Sequence, residues 1–502
     1  MIPDRQTCYS ALLARDTRFD GRFFTAVKTT GIYCRPVCPV RPPKLENCIF
    51  LPSAAAAQAA GFRSCLRCRP ESAPDTGAWR GTYATVSRAL ALIEDGALDE
   101  GAVERLSARL GVGERHLRRL FLRHIGASPT AVAHTRRVLF AKQLITETRL
   151  GMTEIALASG FGSIRRFNEV FQKLFGRPPG ALRKKLPCAG TGPHSIITLS
   201  LPYRAPYDWE MMLNFLSSRA IPGIEAIHDG AYRRTILLEG RAGWVEVTHN
   251  ARQCALRATI SCHSVKQLPI VIAKLRRLFD VGADPLAIGA ALSCDPHLRG
   301  LVCARPGLRV PGAWDGFEVA VRAILGQQIT VSAATRLAGK LVAAFGSELP
   351  DTSVPSGLSH LFPSAAQLAN QDVAQIGMPR TRGATIAGLA AASIADPHLF
   401  GRYQSLQDAV ERLRSLPGIG EWTAQYIAMR ALRESDAFPA GDVALMRALT
   451  KNGSPRISAP VMLLRAEAWR PWRAYAALHL WTSDAAAIPV NGNKDLRHAF
   501  AD

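Results

Sequence analysis

Long apolar runs are missing from this chain. Nowhere in its 502 residues does an apolar stretch approach the roughly 20 residues that a membrane-spanning helix needs. The opening residues, MIPDRQTCYS, lack the basic and apolar segments of a secretory leader. No membrane partner is expected, and the chain is read as cytoplasmic. Acidic residues are also scarce: 40 Asp+Glu stand against 62 Lys+Arg, a net charge of +22. That excess implies a polyanionic partner, by default nucleic acid, and hence a place on the nucleoid. The excess is uneven. Residues 1–190 carry 30 Lys+Arg against 15 Asp+Glu, a net +15, which leaves +7 for the rest. Cysteine is too sparse for a disulfide framework: there are eleven, an odd and scattered set. Seven of them, Cys8, Cys48, Cys188, Cys254, Cys262, Cys294 and Cys303, show no ligand spacing and are expected as small buried apolar residues. At this length one core does not suffice, and three or four domains are expected.

The other four cysteines are patterned. Cys34 and Cys38 lie in TTGIYCRPVCPVR, and Cys65 and Cys68 in GFRSCLRCRP. C-x3-C, 26 residues, then C-x2-C can close a tetrahedral zinc site, each pair supplying two thiolates from a turn. In a lobe of about 70 residues a metal also helps to hold a small core together. On spacing alone a closed, inert structural site remains open. The stretch FFTAVKTTGIYCRPVCPVRP…ENCIF…AAGFRSCLRC closely resembles the N-terminal zinc domain of Ada-type adaptive-response regulators, over about residues 8–70. The resemblance implies one Zn2+ held by Cys34, Cys38, Cys65 and Cys68. It also implies that Cys34 irreversibly accepts a methyl group from a methyl phosphotriester in DNA.

Residues from about 80 to 186 read as helices with short breaks. VERLSARLGVGERHLRRLFLRHIG and MTEIALASGFGSIRRFNEVFQKLFGRPP repeat one design, with turn glycines Gly111 and Gly160 lying 49 residues apart. Each second helix is a candidate for a major groove. Its exposed candidates are Arg115, His116, Arg118 and Arg119 in the first unit, and Ser163, Arg165, Arg166 and Asn168 in the second. The region resembles the AraC/XylS DNA-binding module, which follows the zinc domain in Ada regulators. That resemblance implies a transcriptional activator with RNA polymerase as protein partner. One family feature is absent: no Pro-Cys-His-Arg tetrapeptide follows, and LPCAG at 186–190 is the nearest match. Repair of O-alkylated guanine is therefore not expected.

From about 191 the pattern changes. SIITLSLPY, TILLEG, WVEVTH and ALRATIS are strand candidates, and DWEMMLNFLSSRA and SVKQLPIVIAKLRRLFD are amphipathic helices, giving a small α+β unit. From about 300 the chain is mostly helical. In LPGIGEWTAQYIAMRAL, Gly418 and Gly420 suit a tight hairpin whose backbone N–H groups can face a phosphate. Asp442 in FPAGDVALMRAL precedes an apolar helix, where it can be a cap, a catalytic carboxylate or both. Trp422 and Tyr426 share a helical face, and WRPWRAYAALHLW adds Trp469, Trp472, Tyr475 and Trp481. Such clusters build cores, and they also line pockets for flipped bases.

Together with VRAILGQQIT, these stretches resemble the helix-hairpin-helix glycosylases, and most closely the AlkA-type 3-methyladenine DNA glycosylase II, over about 195–485. The resemblance implies Asp442 as catalytic carboxylate and Trp422, Tyr426 and Trp481 as walls of the base pocket. It places Gln327 in a minor-groove loop, with Gln328 filling the gap left by the flipped nucleotide. It also implies a monovalent cation at the hairpin. The sequence departs from the best-known member at Gln328, a leucine there, and at Gly441, an aspartate there. Bifunctional relatives carry a lysine where Trp422 stands, so base excision without strand cleavage is expected.

The fold class expected is multidomain and mainly α. A zinc α+β domain spans 1–75, and an AraC-type double helix-turn-helix spans 80–187. A small TATA-binding-protein-like α+β domain spans 191–300, and an all-α helix-hairpin-helix glycosylase domain spans 301–502. The expected function is methyl-phosphotriester sensing, DNA binding as an activator, and excision of N-alkylated purines, with double-stranded and alkylated DNA as partners. The alternatives are a regulator whose C-terminal half only binds damage, and a zinc-stabilised glycosylase that never transfers methyl groups.

Overall fold

The computed structural model describes residues 2–73, 84–94, 96–98, 102–183, 196–349, 354–401, 403, 405–450 and 457–487. LPCAG, with Cys188, lies outside the described residues. Among these, no helix is long and apolar enough to cross a membrane.

The N-terminal lobe is a four-stranded sheet with a short helix, Ala54–Ala59. Strand Phe24–Val27 pairs antiparallel with Ile32–Cys34 and with Cys48–Leu51. Gly31 turns the first hairpin at φ +65°, a conformation that suits glycine. Strand Arg63–Ser64 lies parallel to Ile32–Cys34, with Tyr33 opposite Ser64. Cys34 and Cys65, the next residue along each strand, therefore reach the same sheet edge. The lobe's central apolar core is small: Phe24, Ala26, Tyr33 and Ala57 are its fully buried members.

Two helix-turn-helix units follow. The first pairs Val103–Arg109 with Glu114–Ile125, and the second pairs Met152–Ala158 with Ile164–Phe175. Gly111 and Gly160 take φ of +66° and +75° after the leading helices. A 19-residue helix, Pro129–Glu147, joins the units; Ser128 caps it by accepting from the Ala131 N–H, and proline occupies its first turn. This spine helix belongs to two cores. Its early residue Ala133 packs with Leu106, Leu117 and Phe121 of the first unit. Its later residues Val138, Ala141, Leu144 and Ile145 pack with Phe167 and Phe171 of the second unit and with sheet residues Ile197, Leu199 and Leu201. The second unit and the α+β unit therefore share one apolar interior.

That α+β unit holds a five-stranded antiparallel sheet. Its first strand, Ile196–Pro202, pairs with the last, Ala255–Ser261, and the order continues through Arg241–Asn250 and Ala231–Leu238 to Glu225–His228. Alternate residues Ile197, Leu199 and Leu201 point inward, as period-two patterning requires. Strand Glu225–His228 is not foreseen in the sequence, because four residues reading EAIH carry no alternation. Helices Trp209–Ser217 and Leu268–Leu278 complete the unit.

The last region is helical around one large core that includes Ile324, Leu341, Ile386, Ile427, Phe438 and Trp469. Ile221 and Ile224 of the α+β unit join it. It is not purely helical: Ser347–Glu348 pairs with His360–Leu361 in a two-stranded ladder. The expectation for the remaining cysteines needs correction. Cys8 and Cys48 are buried and Cys254 and Cys262 half-buried, but Cys294 and Cys303 are exposed. Cys294 falls in the turn between two helices and Cys303 near the end of Pro296–Ala304, where no packing is required of them.

Candidate functional site

The sheet edge gathers four sulfurs. The Sγ atoms of Cys34, Cys38, Cys65 and Cys68 all lie within 4.8 Å of one another. Cys34 is half-buried and the other three are buried. Backbone N–H groups point at two of the sulfurs: Arg35 N donates to Cys68 Sγ at 3.4 Å, and Arg67 N to Cys65 Sγ at 3.3 Å. All four thiols are free of disulfides. Converging sulfurs with N–H donors behind them fit one tetrahedral Zn2+. The Arg35 guanidinium does not hang free beside Cys34. It donates to both carboxylate oxygens of Asp20 and to the Cys68 carbonyl.

A buried ion network lies behind this knuckle. Lys142 of the spine helix is 1% exposed. Its Nζ donates to Glu71 Oε2 at 2.7 Å and to the Cys65 carbonyl at 2.9 Å. Arg69 bridges Glu71 and Glu147, and Glu147 in turn accepts from the Ser200 N–H on the edge strand of the five-stranded sheet. Nothing local marks Lys142 in the sequence, since its partner stands 71 residues earlier.

On the helix-turn-helix units the basic candidates are exposed. Arg115, His116, Arg118 and Arg119 stand on helix Glu114–Ile125. Arg165, Arg166 and Asn168 stand on Ile164–Phe175, while Ser163 caps that helix. Several are engaged within their own helix. Arg118 pairs with Glu114 at 2.5 Å, Arg165 with Glu169 at 2.9 Å, and Arg119 meets His116 at 3.1 Å.

In the helical region aromatic side chains converge on Asp442. Asp442 caps helix Val443–Leu449: its Oδ1 accepts from the N–H groups of Ala444 and Leu445, each at 3.0 Å. Two indoles donate to the same carboxylate, Trp481 Nε1 to Oδ1 and Trp422 Nε1 to Oδ2, each at 3.0 Å. Four N–H donors thus fix one half-buried carboxylate, and cap and site coincide. Trp422 and Tyr426 stack with centroids 5.2 Å apart and planes 9° from parallel. Trp481 is tilted against Tyr426 at 6.5 Å. The neighbouring aromatics do other work. Trp469, Trp472 and Tyr475 are buried core residues, and Trp469 and Tyr475 donate to Asp295 and Asp280.

Two side chains that the sequence reading missed stand behind Tyr426. Phe215 and Arg219 come from the α+β unit, with the Arg219 guanidinium 3.8 Å from the Phe215 ring. Arg430 lies 4.8 Å over the same ring and donates to the Tyr426 hydroxyl at 2.6 Å. Burial pushes the Tyr426 phenol up, but the guanidinium groups of Arg430, Arg219 and Arg322 outweigh it, and its pKa falls below the ordinary value. Phe215 and Arg219 lie some two hundred residues before Tyr426, too far for any spacing rule to connect them.

The hairpin 416–420 forms an open concavity lined by Arg414 to Gly420. Gly418 has φ +82°, and a Cβ there would lie 2.1 Å from Thr385 Oγ1, so the position is closed to other residues. Gly420 caps helix Glu421–Arg430. Gln327 donates from Nε2 to the Gly418 carbonyl at 3.0 Å and to Thr423 Oγ1 at 3.2 Å. Gln328, next along, takes φ +59°. Gly441 is open: nothing lies within 4 Å of a Cβ there.

Comparison with known proteins divides the chain in the same sense. Residues 7–71 match the metal binding domain of Ada, and 106–185 match a helix-turn-helix domain. Residues 198–315 match the AlkA N-terminal domain, and 321–474 match the HhH-GPD superfamily of base excision DNA repair proteins. The chain is 43% identical over 495 residues to a Mycobacterium tuberculosis protein named a probable bifunctional transcriptional activator/DNA repair enzyme AlkA, covering 98% of each. It is 33% identical over 288 residues to DNA-3-methyladenine glycosylase 2 of Escherichia coli, covering 57% of this chain and 97% of that one. A 3-methyladenine DNA-glycosylase from Archaeoglobus fulgidus shares the fold of the C-terminal part, with a TM-score of 0.50, 24% identity, and coverage of 57% of this chain and 98% of that one.

Proposed function

The chain belongs to the family of bifunctional transcriptional activator/DNA repair enzymes of the AlkA type, and from that premise we propose that it excises N-alkylated purines from DNA and senses methyl phosphotriesters at Cys34. In the working division, 1–75 is the sensor, 80–187 the DNA-binding activator, and 191–300 with 301–502 the glycosylase. The observation that carries the repair activity is the Asp442 carboxylate fixed beside the stacked Trp422 and Tyr426.

Alkylation at the 3- or 7-position makes a purine cationic and a good leaving group. After the nucleotide is flipped into the pocket, the cationic ring stacks on the aromatic faces. The C1′–N bond breaks with its electron pair passing to the purine. Asp442 stabilises the positive charge that develops on the sugar, and water supplies the hydroxyl that ends on C1′. Preorganisation is the protein's contribution, since four N–H groups hold the carboxylate in place before the charge appears. With an indole rather than an amine at position 422, no Schiff base forms and the strand stays intact. Release of methyladenine from methylated duplex DNA by the wild type, and its loss in Asp442→Asn, is the expected result. A folded wild type that releases no base reduces the C-terminal half to a damage-binding module.

At the knuckle, bound zinc would keep the sulfurs deprotonated and nucleophilic at neutral pH. Cys34 is the one of the four with partial exposure. Its sulfur attacks the methyl carbon, an S–C bond forms, the C–O bond breaks, and an ordinary phosphodiester anion leaves. The centre then carries one negative charge fewer, which strengthens attraction to the DNA backbone. Mass spectrometry of the peptide bearing Cys34, after exposure to methylated DNA, should show the added mass of one methyl group in place of hydrogen. An unchanged mass removes the sensor role. As an activator the protein would also meet RNA polymerase, and pull-down on operator DNA tests that.

A further inference from the structure

The loop that carries Gln327 and Gln328 must hold an awkward shape. Gln328 sits at φ +59°, a left-handed conformation that non-glycine residues rarely adopt. Such a conformation persists only where neighbours impose it. The loop links helices Gly316–Leu325 and Val331–Phe345, and Gln328 is its sole non-glycine residue at positive φ among those described. Two contacts flank it. The Gln327 side chain reaches the Gly418 carbonyl and the Thr423 hydroxyl, tying the loop to the hairpin. The Gln327 carbonyl accepts from Arg382 Nη2 at 2.7 Å. Arg382 lies in the first turn of helix Arg380–Ala395, and Thr385, one turn on, fills the space beneath Gly418. One helix thus braces both the loop and the hairpin.

We propose that Arg382 is a positioning residue for base extrusion, which sets the reach of Gln328 relative to the phosphate-binding hairpin by holding the Gln327 carbonyl. The proposal rests on the glycosylase reading and on Gln328 as the residue that fills the vacated gap. Arg382 is half-buried, and a direct phosphate contact is the rival role for its charge. The two roles leave different traces. A phosphate contact adds about one charge to the salt dependence of DNA binding, whereas a brace on a carbonyl adds none.

The test uses full-length protein and a duplex carrying 7-methylguanine beside 2-aminopurine, whose fluorescence rises on unstacking. Extrusion is read in the Asp442→Asn background and single-turnover base release in the otherwise wild-type protein. Arg382→Met keeps most of the stem and removes the donor. It should lower both signals roughly tenfold, as small misplacements at reacting centres do, with the salt slope and melting temperature unchanged. The loss should vanish when Gln328 is already Ala, because Arg382 then has no tip to aim. Gln327→Ala leaves the Arg382 bond to the backbone carbonyl in place and removes the loop's other tie, to the hairpin, and it should show the same dependence on Gln328. A salt slope lowered by about one, or an equal loss with and without the Gln328 side chain, would overturn the proposal. If the wild type releases no base, the glycosylase reading fails by itself, and the fluorescence and salt measurements still decide the role of Arg382.

Discussion

The two helix-turn-helix units share one design and differ in how they are attached. The first closes its core on itself, with Leu106, Leu117, Phe121 and the early spine residue Ala133. It meets the N-terminal metal-binding lobe through small contacts. Ser53 Oγ donates to the Ile125 carbonyl at 2.8 Å, and Gly126 fits against Pro52. A cavity of about 290 Å³ remains at this junction, lined by Phe24, Leu90, Ile125, Phe140, Ile272 and Arg276 among others. The second unit has no such seam, since Phe167 and Phe171 lie in the same interior as Ile197, Leu199 and Leu201 of the repair half. Attachment through a few hydrogen bonds contributes about 1 kcal/mol each, whereas a continuous apolar core contributes several. The first unit is therefore expected to shift more readily than the second, whose core continues into the repair half.

The sharpest way to break this contrast is a matched pair of core truncations. Phe167→Ala should cost about 3–5 kcal/mol and lower the melting of the second unit and the repair half together. Phe121→Ala, of similar cost, should loosen only the first unit. Hydrogen exchange resolved by segment distinguishes them, and equal spread in both variants would erase the contrast. Next in size is Lys142→Met, which leaves Glu71 buried beside Arg69 alone. Removing one partner of a buried pair costs about 3 kcal/mol or more, and a combined Lys142→Met, Glu71→Gln protein should recover part of it. Stripping the metal with a chelator should come next. The N-terminal lobe has so small a central core that it should lose order and take the Ser53 contact with it, while base release by the repair half persists. A chelated protein that no longer releases base would show the lobe bracing the pocket. Smallest is Ser53→Ala, which removes a helix cap and the bond to Ile125. It should cost about 1 kcal/mol, seen as faster exchange near residues 54–59 and 125.

Much of this was legible in the sequence where partners lie close along the chain. The sulfurs of Cys34, Cys38, Cys65 and Cys68 converge because their spacing and turns demand it, and the glycine at 418 stands where a Cβ would strike Thr385. Asp442 could be read as a cap from its position, because capping involves only the next three residues. What stayed hidden depends on contacts across long separations. Lys142 looked like an ordinary helix residue until Glu71 was brought beneath it. Phe215 and Arg219 gave no sign of standing behind Tyr426. Gln327 belongs by resemblance to a minor-groove loop, and nothing in the sequence signals that its amide spans to the hairpin, 91 residues on. The shared core of the second unit was hidden for the same reason, since each stretch carries an apolar face but neither names its mate.

That shared core bears on how such a chain could ever be divided. A cut between residues 183 and 196 would give two polypeptides of sensible length, one ending in a DNA-binding module and the other beginning with a sheet. Each would expose apolar surface that the other now covers, where the spine helix Pro129–Glu147 meets strand Ile196–Pro202 and helix Met152–Ala158 meets the turn Val265–Gln267. Exposed faces of that kind cause aggregation unless a mate is found. The joined chain is therefore more than two modules in sequence. Separated, the two polypeptides are expected to lose solubility, so the shared core makes the two halves one folding unit.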